Sequence, residues 1–443
     1  MRFAVKSLGC KVSQADAMLA RRRLLEAGHE DVSEGEAEVH VVNTCCITNQ
    51  AEASSRQAVR RSLKAGAREV WVSGCAANLD AGQFRDIGPQ VRAFTGTADD
   101  VAVEMGGCVD VEHDVLARER VGGAVRPGTA ARPGTAVRPG AVARPGAAPP
   151  LGASRTRGFV KVQDGCDSSC AYCIIPSVRG AARSRPASAV LAEVARRVRE
   201  GQPEMVMTGI SVGDYRDPEQ GLELGQLMVL AARVPGVRRV RLSSVEVIHV
   251  KDSLVRALRD EPRVCPHLHV PLQSGDDGVL AAMGRHYDSA AYMAAIRRLR
   301  DAVPEVNVTA DVIVGFPTED EAAFERTLGF VREAGITRVH AFSYSPRPGT
   351  AAAALGDRIA PQEKKRRSRE LRGLSEALSR RHRAAKLGER VEVLVDKAAE
   401  SQASGYTRDY VRVHLPPDKA PRGALLHARV EELYADGVRA YPC

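Results

Sequence analysis

Three cysteines at spacings of four and three, Cys166-Asp-Ser-Ser-Cys170-Ala-Tyr-Cys173, constrain this chain more than any other feature. The stretch before them, Phe159 to Gly165, reads as a short strand, because Phe159, Val160 and Val162 form a β-rich run ended by Asp-Gly. The cysteines therefore fall on a loop beyond a strand end, where α/β folds carry their sites. Structural zinc wants a closed set of four ligands, and no fourth Cys or His lies close by in sequence. A disulfide reading fails because three thiols cannot all pair. Three thiolates on a [4Fe–4S] cluster leave one iron open. An open iron can chelate the amino and carboxylate groups of S-adenosylmethionine (SAM), whose radical chemistry needs such a site.

The chain of 443 residues is long enough for two or three domains. No apolar run approaches the roughly 20 residues of a membrane helix, and the N-terminus is too short in apolar residues for a signal peptide. The expected location is cytoplasmic, with no membrane partner. Ten cysteines in a reducing compartment point to metal or redox work.

The first domain is expected over residues 1–116. Strands at Phe3–Leu8, Val39–Asn43 and Val70–Ser73 alternate with helices at Gln14–Ala27 and Ala51–Ala65, the pattern of a parallel α/β sheet. Cys10, Cys45 and Cys75 each follow a strand end. In a parallel sheet those ends share one edge, so the three thiols can meet and hold a second cluster. Three buried core cysteines are the bland alternative. Cys46 is an extra neighbour that could exchange with Cys45. Cys108, Cys265 and Cys443 read as ordinary cysteines.

Residues 117–156 form a Pro/Gly/Ala/Arg-rich linker in which Arg-Pro-Gly recurs at Arg126, Arg132, Arg138 and Arg144. Its residues 121–150 hold four Arg and no acidic residue, +4 of the formal +9, so whole-chain charge says little about nucleic acid.

Residues 157–380 alternate six strands with helices, which predicts a partial (β/α)6 barrel, open compared with the eight-fold form. Polar residues at its strand ends, Glu246, Gln273, Asp311 and Gly315, are candidate cofactor or substrate neighbours. So is Tyr172 inside the cysteine loop. His267 and His269 share one strand face, and burial between barrel and helices explains them as well as catalysis does. Lys364–Arg390 carries eleven Lys or Arg against three acidic residues and reads as a basic amphipathic helix suited to phosphate. Residues 386–443 switch to short alternating strands, a small β-barrel. Tyr406, Tyr410, Arg408 and Arg412 there offer stacking and phosphate contacts.

Gln163-Asp-Gly-Cys166, the Cys-x3-Cys-x2-Cys loop, Cys173-Ile-Ile-Pro176 and Arg179-Gly180-x2-Arg183-Ser184-Arg185 together resemble the methylthiotransferase family of radical SAM enzymes. Gly9-Cys10-Lys11, Asn43-Thr44-Cys45 and Gly74-Cys75 resemble its N-terminal motifs. The resemblance implies two [4Fe–4S] clusters, the auxiliary one on Cys10, Cys45 and Cys75. It implies that Thr208 and Gly209 contact the methionine amino group of SAM and that the last domain is a TRAM-like RNA-binding module. The implied fold class is α/β: an N-terminal α/β domain, a radical SAM barrel and a small β-barrel. Gly9–Gln14, Val162–Gly165 and Thr208–Tyr215 are most similar to enzymes acting on N6-threonylcarbamoyladenosine at tRNA position 37. Relatives acting on N6-isopentenyladenosine or a ribosomal protein are the runners-up. The implied chemistry spends SAM twice, once to methylate a sulfur on the auxiliary cluster and once to generate the radical that removes hydrogen from adenine C2. Implied partners are tRNA, an electron donor such as flavodoxin or ferredoxin, and a sulfur source. A non-catalytic RNA-binding metalloprotein is the competing class, and the open three-cysteine loop argues against it.

Overall fold

The structure is a computed structural model that describes residues 1–96, 156–399 and 401–443. Cys108, the Arg-Pro-Gly repeats and the expected end of the first domain at residue 116 lie outside the described residues.

The N-terminal domain runs β1 (Arg2–Ser7), α1 (Lys11–Glu26), β2 (Glu30–Asp31), β3 (Val39–Thr44), α2 (Asn49–Lys64), β4 (Glu69–Gly74), α3 (Cys75–Leu79), α4 (Gly82–Arg85) and β5 (Val91–Ala93). Its five strands are all parallel, in the order β2-β1-β3-β4-β5. Every residue of β3 is buried, as the centre of a sheet covered on both faces requires. Thr48 starts α2, its hydroxyl accepting from Ala51 N at 3.1 Å.

The central domain runs β6 (Arg157–Lys161), β7 (Gln163–Asp164), α5 (Ile175–Arg179), β8 (Arg183–Ser184), α6 (Ala187–Arg199), β9 (Glu204–Thr208), α7 (Leu224–Arg233), β10 (Arg239–Leu242), α8 (Asp252–Asp260), β11 (His267–His269), α9 (Asp277–Ala282), α10 (Ser289–Ala302), β12 (Asn307–Val314), α11 (Glu321–Glu333), β13 (Arg338–Ser343), α12 (Ala351–Ala354) and α13 (Pro361–Ala384). Two three-stranded parallel sheets, β10-β9-β6 and β11-β12-β13, are joined by a parallel bridge between Val240 and Val264. This is the expected six-stranded open barrel, with β6 and β13 as its free edges. Both edges are covered. Helix α1 lays Ala15 and Met18 on Phe159 and Val206. The Ser375 hydroxyl of α13 takes up Val339 N at 2.8 Å and donates to Val339 O at 3.1 Å.

Side chains alternate along the barrel strands. Val160, Met205, Met207, Val240, Leu268, Val308 and Val339 point outward into one apolar core with the helices. The inward face is polar apart from Phe159 and Val206 under α1: Lys161, Glu204, Thr208, Arg239, Arg241, His267, Asn307, Thr309 and Asp311. His267 and His269 therefore face the lumen and are not buried between barrel and helices. A lumen lined this way needs either internal ion pairs or a polar guest.

The C-terminal piece, β14 (Arg390–Ala399), β15 (Gln402–Thr407), β16 (Arg412–Leu415), β17 (Leu425–Tyr434) and β18 (Gly437–Pro442), closes as β14-β15-β16-β18-β17. Its β15–β16 turn forms the floor of the central barrel. Arg239 binds Tyr406 O at 2.9 Å and Glu392 at 2.8 Å. Arg241 reaches Thr407 O and Arg408 O, and Asn307 reaches Asp409 O at 2.7 Å. Tyr410, at φ 70°, stacks on His267 at 4.8 Å and on Tyr406 at 4.7 Å. Arg408 donates to Pro262 O and Val264 O, and Arg412 pairs with Asp436 at 2.7 Å. The four residues expected to offer stacking and phosphate contacts are thus engaged inside the protein, three of them by the barrel. The strand pattern carried no sign that this turn would be a plug.

Helix α13 is the expected basic helix, but much of its charge is used internally. Lys364, Arg367 and Arg383 are buried, and Arg367 pairs with Glu319 at 2.7 Å. Leu371 and Leu378 join the main core.

Candidate functional site

The parallel sheet of the N-terminal domain brings Cys10, Cys45 and Cys75 to one rim. Cys10 caps the start of α1 with no side-chain cap bond, at the positive end of a helix of 16 residues. Gly9, at φ 108°, passes so close to Cys45 that a Cβ there would lie 3.0 Å from the Cys45 sulfur. Gly74, at φ 93°, turns β4 into α3, and a Cβ would strike Asn43 Oδ1 and the Thr44 backbone. These glycines allow the backbones, and so the sulfurs, to converge. Burial pushes the Cys45 thiol up to about 11, with the Cys75 and Cys10 sulfurs adding to the rise. Cys75 is lowered to about 6 by a hydrogen bond from Cys46 and then by the Arg179 guanidinium. Cys46 is therefore a direct neighbour of Cys75, fully buried, and its own thiol is pushed up.

The second set sits on the loop after β7. Cys166, Cys170 and Cys173 are all partly exposed. The loop is held by backbone bonds from Ala171 N to Met283 O at 2.8 Å and from Cys166 N to Gly180 O at 3.1 Å. Its sulfurs accept hydrogen bonds: Ser168 N to Cys166 at 3.4 Å, Ile175 N to Cys173 at 3.5 Å, and Arg285 Nη1 to Cys170 at 3.0 Å. Burial raises the Cys170 thiol and pushes Cys173 up to about 11. Thiols packed this way ionise readily only with a cation beside them, and the donor set in both places is sulfur with N–H groups aimed at it. That chemistry fits iron–sulfur clusters.

Arg285 is the residue that sequence reasoning missed here. It lies in Gly284-Arg285-His286-Tyr287, between the Cys170 sulfur and Glu246, whose carboxylate it meets at 2.9 Å. Its guanidinium also stands over the Tyr287 ring at 5.0 Å. Of the expected cofactor neighbours, Glu246 is thus at the cluster loop. Tyr172 packs beside Met283, Phe316 and Tyr344. Thr208 is buried at the end of β9, and Gly209 passes Gln163, where a Cβ would meet Oε1 at 3.0 Å. The Gln163 amide is spoken for, donating to Gly165 O at 2.8 Å and accepting from Ser211 N at 2.8 Å. Gln273, at φ 67°, bridges to Val312. Asp311 lies lower in the lumen and pairs with His269 at 3.1 Å.

The two cysteine sets are joined by one short helix. Helix α5 follows Cys173 and packs Ile174 and Val178 against Cys75 and Cys46. Its last residue, Arg179, donates Nε to the Cys75 sulfur at 3.2 Å and Nη1 to Asp16 at 2.8 Å. Asp16 of α1 also receives Lys161, and Asp164 lies 3.4 Å from both cations. Two cations and two carboxylates thus close a buried network across the domain boundary. Arg179 stands six residues after Cys173, a rise of about 9 Å along a helix. The only sequence signal for its role was its place in the Arg-Gly-x2-Arg-Ser-Arg run.

On the C-terminal barrel, Tyr434 and Tyr441 are exposed, and Arg439 sits 3.9 Å over the Tyr434 ring. This cation–aromatic patch was not anticipated.

Comparison with known proteins places these parts. The Radical SAM superfamily model matches residues 160–331, and the model described as Uncharacterized protein family UPF0004 matches residues 2–96. The chain is 32% identical to "Threonylcarbamoyladenosine tRNA methylthiotransferase MtaB" of Thermotoga maritima, covering 98% of this chain and 95% of the relative. It is 33% identical to the protein of the same name from Bacillus subtilis, covering 93% and 89%. It is also 33% identical to "tRNA-2-methylthio-N(6)-dimethylallyladenosine synthase" of Parafrankia sp., covering 93% and 83%. In fold it is similar to the radical S-adenosylmethionine methyltransferase TsrM of Kitasatospora setae, with TM-score 0.54 at 13% identity over 81% of this chain and 76% of that one. Among the described residues no helix is long and apolar enough to cross a membrane.

Proposed function

Because the chain belongs to the radical SAM methylthiotransferase family, enzymes that use SAM and [4Fe–4S] clusters, we propose that it methylthiolates C2 of N6-threonylcarbamoyladenosine at tRNA position 37. The observation that carries the proposal is Arg179, which ties the helix leaving one cysteine set to a sulfur of the other. The two sets thus stand on adjoining elements. Cys166, Cys170 and Cys173 would hold the SAM-binding cluster, and Cys10, Cys45 and Cys75 the auxiliary one. When bound, these groups supply reductive cleavage of SAM and a transferable methylthio sulfur.

The protein's own residues do the rest. Arg285 donates to the Cys170 sulfur and offsets negative charge on it, while Glu246 holds Arg285 in place. Tyr172, packed against Met283 and Phe316, offers an apolar surface beside the same loop. The parallel strands end at one mouth, and the C-terminal barrel packs against the opposite end. Exposed Tyr434 and Tyr441, with Arg439 over the Tyr434 ring, give an RNA strand a stacking surface. Such a reaction takes place where tRNA is, in the cytoplasm, with an external electron donor and sulfur source.

Relatives named for the dimethylallyl substrate match at the same identity, so that adenosine is the second reading. Mass spectrometry of tRNA nucleosides, with and without the gene, tests both. Selective loss of the methylthio form of N6-threonylcarbamoyladenosine is expected. Loss of the dimethylallyl form instead would overturn the first reading.

A further inference from the structure

Below the barrel mouth the lumen holds a cavity of about 360 Å³. Lys11, His269, Thr309, Arg338, His340 and Tyr410 line it, among others. Lys11 is the first residue of α1, directly after Cys10, so it carries a positive charge inward from the N-terminal sheet.

Most charged groups around this cavity are neutralised by a partner. Arg241 pairs with Glu204 at 3.0 Å, Arg412 with Asp436 at 2.7 Å, Arg383 with Glu376, and Asp409 with His382 at 3.2 Å. Lys11 and Arg338 are different. Among the described residues the side chain of neither makes a hydrogen bond or ion pair. Lys11 is half-buried, near Tyr410 and Asp311 and also near the cations Arg157 and Arg241; Arg338 is exposed at the rim. Asp311 forms no ion pair with Lys11; its Oδ1 lies 3.1 Å from His269 Nε2. A part-enclosed cation with no partner is costly unless a ligand brings an anion.

The imidazoles beside it are set for neutral polar groups. His269 is fixed at both ends, Nδ1 to the Thr309 hydroxyl at 2.9 Å and Nε2 to Asp311. His340 stands across from it, with ring centroids 5.6 Å apart, in register with Asp311. An aliphatic N6 tail in this cavity would leave Lys11 uncompensated. An amino-acid tail would bring a carboxylate for Lys11 and hydroxyl and carbamoyl groups for His340.

We propose that Lys11, aided by Arg338 at the rim, binds the carboxylate of an amino-acid substituent on adenine N6, and so selects carboxylate-bearing adenosines over aliphatic ones. The assignment rests on the tRNA methylthiotransferase reading above. SAM also carries a carboxylate, so the test must separate the two sources.

The experiment uses the full-length, cluster-loaded enzyme and an anticodon stem-loop carrying N6-threonylcarbamoyladenosine or its methyl ester. The wild type is expected to prefer the acid over the ester in kcat/KM by about ten- to a hundredfold, the worth of one charged hydrogen bond. Lys11→Met should bring that ratio close to one, mainly through KM for the acid, and Lys11→Arg should keep most of it. An unchanged ratio in Lys11→Met overturns the proposal. So does a raised KM for SAM with the ratio intact, which would assign Lys11 to the cofactor. If Lys11→Met does not load iron, Arg338→Gln decides: a smaller fall in the ratio supports the proposal, and no fall overturns it. A wild type that turns over only the dimethylallyl stem-loop would overturn the underlying substrate reading, and is recognised before any variant is made.

Discussion

Arg179 donates its Nε to the Cys75 sulfur at 3.2 Å, although the two residues belong to different domains. The same guanidinium reaches Asp16 at 2.8 Å. Arg179→Ala removes one of the cations that pair with the buried Asp16 and Asp164. Removing one partner of a buried ion network costs about 3–5 kcal/mol. Thermal denaturation should show that loss, and iron analysis should show selective depletion at the N-terminal cysteine set.

Arg285→Ala takes away the donor to the Cys170 sulfur and the counter-ion of Glu246. Iron should still load, since no ligand is lost. Loss of a hydrogen bond to a metal ligand typically costs 10–100-fold in activity or affinity. A drop of about that size in 5′-deoxyadenosine release, with iron content unchanged, is expected. Full cofactor cleavage in this variant would show that Arg285 only packs.

Cys170→Ala and Cys75→Ala should each abolish methylthiolation, for different reasons. The first should also stop cofactor cleavage, and the second should leave it measurable. Cys46→Ala removes the hydrogen bond that is the largest influence lowering Cys75, but no proposed ligand. It should weaken iron loading at the N-terminal set without ending turnover. Normal methylthiolation by Cys75→Ala would refute the two-cluster assignment.

His267 lies buried against Tyr410, and burial, reinforced by Arg241, holds its imidazole well below the usual value. The unfolded chain takes up a proton near pH 6.5, whereas the folded one does not. This contribution to stability is therefore fully present above pH 6.5 and is lost as pH falls below it. Melting temperature should drop between pH 7 and pH 5, and His267→Gln should flatten that part of the profile. An equal drop in the variant would place the acid sensitivity elsewhere.

Arg239 is 1% exposed and joins Glu204 and Glu392 to the Tyr406 carbonyl. Arg239→Met leaves the buried Glu204 with Arg241 alone and frees the floor of the barrel. A loss of about 3–5 kcal/mol is expected, together with faster proteolysis between the central and C-terminal barrels.

Much of this protein is legible in its sequence. Cysteine spacing within Cys166–Cys173 is a local property, so the open-cluster reading needs no fold. Strand-end placement of Cys10, Cys45 and Cys75 follows from hydrophobic runs punctuated by glycine, because a parallel sheet sends its strand ends to one edge. The alternation of strands and helices likewise announces the open barrel. Tertiary structure decided what lies between these parts. Whether Tyr410 stacks on a base or on His267 depends on which surface the β15–β16 turn meets, and no local pattern encodes docking. The bond from Arg179 to Cys75 spans 104 residues, and Lys11 reaches a lumen built more than 250 positions away. Charge pairing is a short-range, three-dimensional relation, so only the folded chain reveals which cations are already partnered and which await a ligand.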